Sequence, residues 1–178
     1  MGDWTQHMDI PIWLEKRLLQ TIDLFYAKWP QQQPHKDRLK QCTIISHRGE
    51  HDNIDIFENT LSAFDRAKDA GVGGIEFDIR WTKDLQPVVL HDRNLLRVFK
   101  SDIEVNKATL SDLKEHCNLI PSLSEVIQKY GKILHLMVEI KEESLTAFGI
   151  PYVMDQVDAV LEPGKEPFKI LSHSIDAL

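Results

Sequence analysis

The chain has 178 residues, of which 42% are hydrophobic and 28% are charged, so it can bury one core like an ordinary globular domain. Its formal net charge of −7 argues against a nucleic-acid partner, because such proteins usually present a basic face to the phosphates. The two cysteines have no paired spacing, no run of 18 apolar residues occurs, and no signal sequence is visible, so we expect a cytoplasmic protein.

Residues 10–29 carry apolar side chains three or four positions apart, which predicts an amphipathic helix that ends before Pro30. Charged side chains interrupt the apolar surface and exclude a helix that spans a membrane. The apolar stripe either packs on the rest of the protein, which we favour, or makes peripheral contact with a membrane surface. The polar residues 31–40 are predicted to be a linker, so residues 1–40 form a first unit.

From residue 41 to residue 178, strands and helices alternate, which is typical of an α/β fold with a parallel sheet. The predicted strands of this sheet are residues 42–46, 75–80, 133–140 and 168–173, and the predicted helices are residues 61–70, 122–130 and 151–161. A further strand at 87–91 lies too close to 75–80 for a parallel crossover, so these two must form an antiparallel hairpin that turns at 83–85. Residues 92–120 are predicted to be a short insertion.

Two carboxylates, Glu76 and Asp78, lie two positions apart in one predicted strand and therefore point to the same face. Glu139 and Lys141 repeat this spacing at the end of the third parallel strand. In a parallel barrel this end of the strands hosts the active site. A pair of carboxylates roughly 4 Å apart repels by about 4 kcal/mol at an effective dielectric near 20. A divalent cation with hard oxygen ligands, Mg²⁺ or Ca²⁺, therefore fits this cluster better than the alternative of a solvated group of charges.

His47 and His91 each directly follow a predicted strand. Histidine takes up and releases protons near neutral pH, and phosphodiester cleavage needs one base and one acid. Either histidine alone is more often structural, but the pair beside a carboxylate cluster predicts acid/base catalysis. We assign no role to His116, His135 or His173.

Arg48 and Lys141 are the cations predicted to lie beside these groups. Arginine offers two parallel donors that match a phosphate, and Lys141 adds a point charge. Gly49 is expected to let the backbone turn tightly beside a ligand. The alternative for Arg48 is a structural ion pair with Glu58 or another acid at the rim of the site.

These residues occur in six motifs that together resemble the glycerophosphodiester phosphodiesterase family. In chain order, the motifs are HRG (47–49), ENT (58–60), E-x-D (76–78), T-x-D-x-x-PVV-x-HD (82–92), IPSLSEV (120–126) and EIK (139–141). The resemblance implies a TIM (β/α)8 barrel, of which residues 41–178 supply about the first four β/α units.

The resemblance also implies roles for individual residues. His47 and His91 match the histidines that perform acid/base catalysis, and Glu76, Asp78 and Glu139 match the residues that bind one divalent metal ion. The implied reaction is hydrolysis of a glycerophosphodiester to an alcohol and glycerol 3-phosphate. Lysophospholipid and sphingolipid phosphodiesterases share the architecture, so the choice among these substrates stays open. The metal would polarise a phosphoryl oxygen.

On the substrate side, the resemblance implies that Arg48 and Lys141 hold the phosphate. Glu58 is expected to orient the metal shell or His47. The family usually has proline where this chain has Phe57, and glycine where it has Leu85, so we expect the 83–85 turn to avoid positive φ.

The resemblance further implies four more β/α units, so we expect a C-terminally truncated chain. Its open barrel edges, and an inward face of Ile, Val and Leu left exposed to water, would then favour aggregation or self-association. The alternative function is a non-catalytic half-barrel that binds metal or a partner chain without turnover.

Overall fold

The structure is a computed structural model that describes residues 12–28, 35–141, 149–158 and 168–172. These residues divide into two units, 1–42 and 43–178, each with its own internal contacts. Among the described residues, no helix combines the length and the apolar character needed to cross a membrane.

The first unit contains helix α1 (Ile12–Lys28) and the short helix α2 (Lys36–Lys40). The helix predicted at 10–29 is confirmed over Ile12–Lys28. Within the predicted linker 31–40, residues Lys36–Lys40 form α2, and residues 31–34 lie outside the described residues. The His35 side chain accepts a hydrogen bond from the amide of Asp37 and caps this helix. Histidine is not among the usual capping residues, so the polar sequence did not indicate a helix start here.

The second unit alternates strands and helices in the predicted order. Its elements are β1 (Ile45–His47), α3 (Leu61–Asp69), β2 (Gly74–Trp81), β3 (Pro87–Val89), α4 (Leu96–Phe99), a 3₁₀ turn (Val105–Lys107), α5 (Leu110–His116), α6 (Leu123–Tyr130), β4 (His135–Ile140), α7 (Gly149–Asp158) and β5 (Phe168–Ser172). The insertion predicted at 92–120 thus holds α4, the 3₁₀ turn and α5.

The sheet has the strand order β1-β2-β4-β5, and all four of these strands run parallel. The four parallel strands with interleaved helices are therefore confirmed. The register places His47 beside Glu76 and Asp78 beside Glu139. Because neighbours in register lie on the same face, the sheet brings the predicted site residues of three strands to one place.

Strand β3 returns antiparallel along the end of β2, with Ile79 opposite Val89. The predicted hairpin is therefore confirmed, but the expectation of a turn without positive φ is wrong, since Leu85 has φ +56°. The Leu85 amide donates to the Thr82 carbonyl at 3.0 Å, and the Thr82 amide donates to the Gln86 carbonyl at 3.0 Å. This pattern is a turn closed by one left-handed residue, which the exposed leucine occupies in place of glycine.

Side-chain caps start the helices that pack on the sheet. The Thr60 hydroxyl accepts from the amide of Ala63 at the start of α3. Ser122 and Glu125 form a reciprocal capping box at the start of α6, with the Ser122 amide 2.7 Å from Glu125 Oε2. These caps fix where each helix begins and therefore how it meets the strands.

The hydrophobic core lies between the sheet and the helices. Alternate residues of β2 and β4 supply it, and each is at most 2% exposed: Ile75, Phe77, Ile79, Leu136, Val138 and Ile140. They pack against side chains of the helices, such as Phe64 of α3 and Tyr130 of α6. The expectation of an exposed inward face of Ile, Val and Leu is therefore wrong for these two strands, whose other face carries Glu76, Asp78 and Glu139.

Candidate active site

Three carboxylates converge on the sheet face opposite the core. Glu76, Asp78 and Glu139 each offer an oxygen, and these oxygens lie within 4.8 Å of one another. Asp78 is fully buried and Glu76 is 8% exposed. Their spacing of two along β2, and the pairing of Asp78 with Glu139 across strands, produce this convergence.

Asp78 is held by one hydrogen bond and two ion pairs. Arg48 Nε lies 3.0 Å from Oδ2, Lys141 Nζ lies 3.1 Å from Oδ1, and Asn59 Nδ2 donates to Oδ2 at 2.9 Å. Lys141 Nζ also donates to Glu139 Oε1 at 2.5 Å. Burial alone would lower the pKa of Lys141, but these carboxylates raise it above its usual value, so the ammonium stays charged. Both predicted substrate-side cations thus lie at the carboxylate cluster.

Glu76 is only partly satisfied by its neighbours among the described residues. Its Oε2 is buried without a hydrogen-bond partner among the described residues. Burial, followed by repulsion from Asp78 and Glu139, raises the pKa of Glu76 to about 7. A divalent cation would supply the missing charge and the missing ligand contact together, so the donor set fits a hard metal ion.

His47 lies at the rim of this cluster. The Arg48 amide donates to the Glu76 carbonyl at 2.8 Å, which fixes the HRG segment against β2. His47 Nε2 is then 3.8 Å from Glu76 Oε2, and the imidazole remains 69% exposed. A histidine that is close to a buried carboxylate and open to solvent can meet a substrate.

The hairpin carries His91 back to the same level of the sheet. The Leu90 amide donates to the Asp78 carbonyl at 3.0 Å, and Arg80 Nε donates to the His91 carbonyl at 2.7 Å. His91 Nδ1 lies 2.6 Å from Asp92 Oδ1. Both predicted catalytic histidines are therefore attached through the backbone to the strand that carries Glu76 and Asp78.

Glu58 forms the ion pair with Arg48 that was the alternative interpretation of Arg48, together with contacts to Arg97 and Asn53 that the sequence did not indicate. Arg97 NH1 and NH2 donate to its two oxygens at 3.0 and 2.6 Å, Arg48 NH1 at 3.1 Å and Asn53 Nδ2 at 2.8 Å. Burial by itself would raise the pKa of Glu58, but Arg97 and Asn53 lower it to about 2. Glu58 therefore reaches the carboxylate cluster through Arg48.

Four polar residues around the site were missed at the sequence level: Asn53, Asn59, Asp92 and Arg97. Asp92 and Asn59 belong to the HD and ENT motifs, so their positions there were the available signal. Arg97 lies 39 positions from Glu58, and no local pattern links them. Gly49 makes the expected tight turn, with φ +81°, but an added Cβ would lie 2.7 Å from Ala63 Cβ of α3, so the close neighbour within the chain is a helix.

The sequence profile of the glycerophosphoryl diester phosphodiesterase family matches residues 47–166. The chain belongs to this family. The matched region includes both histidines, the three carboxylates, Arg48 and Lys141, which the structure brings to one end of the sheet.

The curated relatives that this chain matches are longer than the chain. A glycerophosphodiester phosphodiesterase of Caldanaerobacter subterraneus subsp. tengcongensis is 36% identical over an alignment of 110 residues, and the match covers 55% of this chain and 44% of that protein. A lysophospholipase D of Homo sapiens is 43% identical over 83 residues, which are 46% of this chain and 24% of that protein. The chain spans less than half the length of either relative.

Solved structures of the family share the fold. The glycerophosphodiester phosphodiesterase of Thermotoga maritima superposes with a TM-score of 0.60 at 35% identity, over 77% of this chain and 57% of that chain. An Oleispira antarctica phosphodiesterase, solved with the product sn-glycerol-3-phosphate, superposes with a TM-score of 0.65 at 27% identity, over 76% of this chain and 59% of that chain. The second unit is thus part of a TIM barrel.

Proposed function

We propose that the protein hydrolyses glycerophosphodiesters to an alcohol and glycerol 3-phosphate. The observation that carries this proposal is the placement of three converging carboxylates, two histidines and two cations at the carboxyl end of one parallel sheet. The named activities of the relatives and the sn-glycerol-3-phosphate bound by the Oleispira antarctica phosphodiesterase support it.

The residues that would hold a divalent cation are Glu76, Asp78 and Glu139. The all-oxygen donor set favours Mg²⁺ or Ca²⁺. When bound, such an ion supplies Lewis-acid polarisation of a phosphoryl oxygen. The orphaned Glu76 Oε2 is the feature of this chain that supports the assignment.

The proposed chemistry of the chain itself is proton transfer and charge stabilisation. His47 and His91 divide the roles of base and acid, one taking the proton of the attacking nucleophile and the other giving a proton to the leaving oxygen. The nucleophile is water, or the glycerol 2-hydroxyl, in which case water then opens the cyclic phosphate that forms. Arg48 and Lys141 hold two positive charges beside the carboxylates, where the anionic phosphodiester would bind. Glu58 orients Arg48 through their 3.1 Å contact.

The test is the release of glycerol 3-phosphate from glycerophosphocholine, with and without a chelator. His47→Gln and His91→Gln should each lower kcat by roughly 10²–10⁴-fold. His116→Gln is the matched control, because His116 is exposed on α5 and contacts the backbone of its own helix. Near-normal kcat in either site variant would make that histidine structural. Metal binding with no turnover of any diester would favour the non-catalytic half-barrel instead.

A lysophospholipid is the second proposed substrate, because one relative is named for that activity. Parallel assays of glycerophosphocholine and lysophosphatidylcholine under identical metal conditions compare the two. A higher kcat/KM on lysophosphatidylcholine than on glycerophosphocholine would make the lysophospholipid the preferred substrate.

Peripheral membrane contact through residues 10–29 is a further proposal. Within α1, the side chains of Leu18, Ile22 and Phe25 are 55%, 39% and 57% exposed. Their spacing of four and three residues places them on one helix face. Co-sedimentation with phosphatidylcholine vesicles tests the contact, and L18S/F25S should abolish it. Equal sedimentation of this variant and the wild type would contradict it.

Self-association through open sheet edges and a cytoplasmic location complete the proposal. Within the described residues, β1 pairs only with β2, and β5 pairs only with β4. Light scattering across a range of protein concentrations tests self-association, and a constant monomer mass would contradict it.

The free Cys42 and Cys117 support a reducing compartment, which cell fractionation tests.

A further inference from the structure

Arg97 of α4 binds two carboxylates at once. Its NH1 and NH2 donate to Glu58 at 3.0 and 2.6 Å, and its Nε and NH2 donate to Asp92 at 2.6 and 3.3 Å. Both contacts are of the paired type that matches a planar guanidinium to a carboxylate. One side chain therefore joins the loop that carries Glu58 to the segment that carries His91.

On one side of Arg97, the contact continues to His91. Asp92 Oδ1 lies 2.6 Å from His91 Nδ1 while Asp92 Oδ2 accepts from Arg97. Burial would raise the pKa of Asp92, but Arg97 and His91 lower it, so this group remains a carboxylate. A carboxylate only accepts hydrogen bonds, so Nδ1 of His91 carries a proton. The other ring nitrogen, Nε2, is then the one that exchanges protons with a substrate.

On the other side of Arg97, the contact continues to the carboxylate cluster. Glu58 Oε1, which accepts from Arg97, also accepts from Arg48 NH1 at 3.1 Å. Arg48 Nε lies 3.0 Å from Asp78 Oδ2. The unbroken path of charged contacts therefore runs through His91, Asp92, Arg97, Glu58, Arg48 and Asp78.

A separate apolar contact joins the same two segments. The rings of Phe57 and Phe99 lie 5.5 Å apart, and Phe57 directly precedes Glu58. Val98 of α4 is 7% exposed, and Phe99 also packs against the buried cluster that contains Val88 and Leu95. Because these contacts hold α4 without Arg97, we expect variants at position 97 to fold.

We infer that Arg97 is a positioning residue for the proposed reaction: it holds Asp92 and Glu58 together and thereby orients His91 and Arg48 towards a common substrate. The inference deepens the proposed function and rests on it for the effect on turnover. The orientation of His91 itself is a property of the free protein and is measured without turnover.

The experiment compares Arg97→Gln and Arg97→Lys with Arg93→Gln, the control. Arg93 is an exposed arginine of the same segment that makes none of these contacts. Two-bond ¹H–¹⁵N spectra report which nitrogen of His91 is protonated, and the His91→Gln spectrum identifies the signal. Steady-state kinetics on glycerophosphocholine and thermal unfolding are recorded for every variant.

We expect Arg97→Gln to lose the single Nδ1-protonated form of His91 and to lower kcat roughly 10- to 100-fold with little change in KM. Arg97→Lys should fall between this variant and the wild type, since one ammonium cannot pair with both carboxylates in the same way. Arg93→Gln should match the wild type in every measurement.

An unchanged His91 tautomer in Arg97→Gln would overturn the inference, as would a raised KM with unchanged kcat, which would make Arg97 a substrate contact. A fall in kcat equalled by Arg93→Gln would overturn it too. A wild-type protein that cleaves no diester would refute the proposed function, and the tautomer comparison alone would then decide the role of Arg97.

Discussion

The backbone amide of Arg48 donates a 2.8 Å hydrogen bond to the carbonyl oxygen of Glu76. This bond extends the β1–β2 pairing by one residue past the register pair of His47 and Glu76. The next residue, Gly49, turns the chain away at φ +81° so that the Asn59 amide can reach the Arg48 carbonyl at 3.0 Å. Backbone hydrogen bonds on both sides of Gly49 therefore set the position of the HRG segment.

The first prediction concerns two glycines with the same backbone conformation. Gly71 has φ +82° and open space where a side-chain methyl group would lie, whereas a methyl group at Gly49 would lie 2.7 to 2.9 Å from Ala63. Gly71→Ala should lower the free energy of unfolding by about 1–2 kcal/mol. Gly49→Ala should lower it by about 3 kcal/mol or more, because overpacking adds to the backbone strain. Urea unfolding measures both, and equal losses would refute the crowding argument.

The second prediction concerns the metal site. Glu76→Gln should abolish measurable binding of Mg²⁺ and Ca²⁺, since it removes a charged oxygen from a three-carboxylate cluster. Isothermal titration calorimetry measures the affinity. Asp69→Asn is the control, because Asp69 is an exposed carboxylate of α3 that pairs only with Lys68 among the described residues. Retained affinity in Glu76→Gln would place the metal elsewhere.

The third prediction concerns stability in acid. Glu58 has a folded-state pKa of about 2, below its ordinary value of 4.5. A depressed carboxyl pKa contributes stability that is fully present above 4.5 and is lost as the pH falls from there towards 2. Glu58→Gln should therefore be less stable than the wild type at pH 6, and the difference should shrink in that window. Urea midpoints between pH 6 and pH 2.5 test this, and a constant difference would contradict it.

The fourth prediction concerns the β2–β3 turn. Leu85 has φ +56° and is 55% exposed, so its side chain gains little packing in return for a strained backbone. Leu85→Gly should raise the free energy of unfolding by about 1 kcal/mol. Lys83→Gly in the same turn is the control and should give no gain, because position 83 has no positive φ to relieve. A destabilised Leu85→Gly would show that the leucine side chain packs.

The order of strands and helices in the second unit was predictable from the sequence, and so was the hairpin, because period-two and helical patterns report which residues face a core. Two-residue spacing also predicted that Glu76 and Asp78 share a face. The contacts of Arg97 were not predictable, since they join segments that are distant in the chain and depend on how α4 packs. The left-handed Leu85 was missed because a leucine carries no local signal for that conformation.

Alternate residues of β2 and β4 face opposite sides of the sheet and differ in what they contact. One set, including Phe77 and Val138, is sealed against helices, whereas the alternate set, including Glu76 and Glu139, lines the reactive end of the sheet. Substitutions in the alternate set leave the hydrophobic core between the sheet and the helices unchanged. The candidate site should therefore be open to redesign, one alternate residue at a time, without rebuilding the interior of the protein.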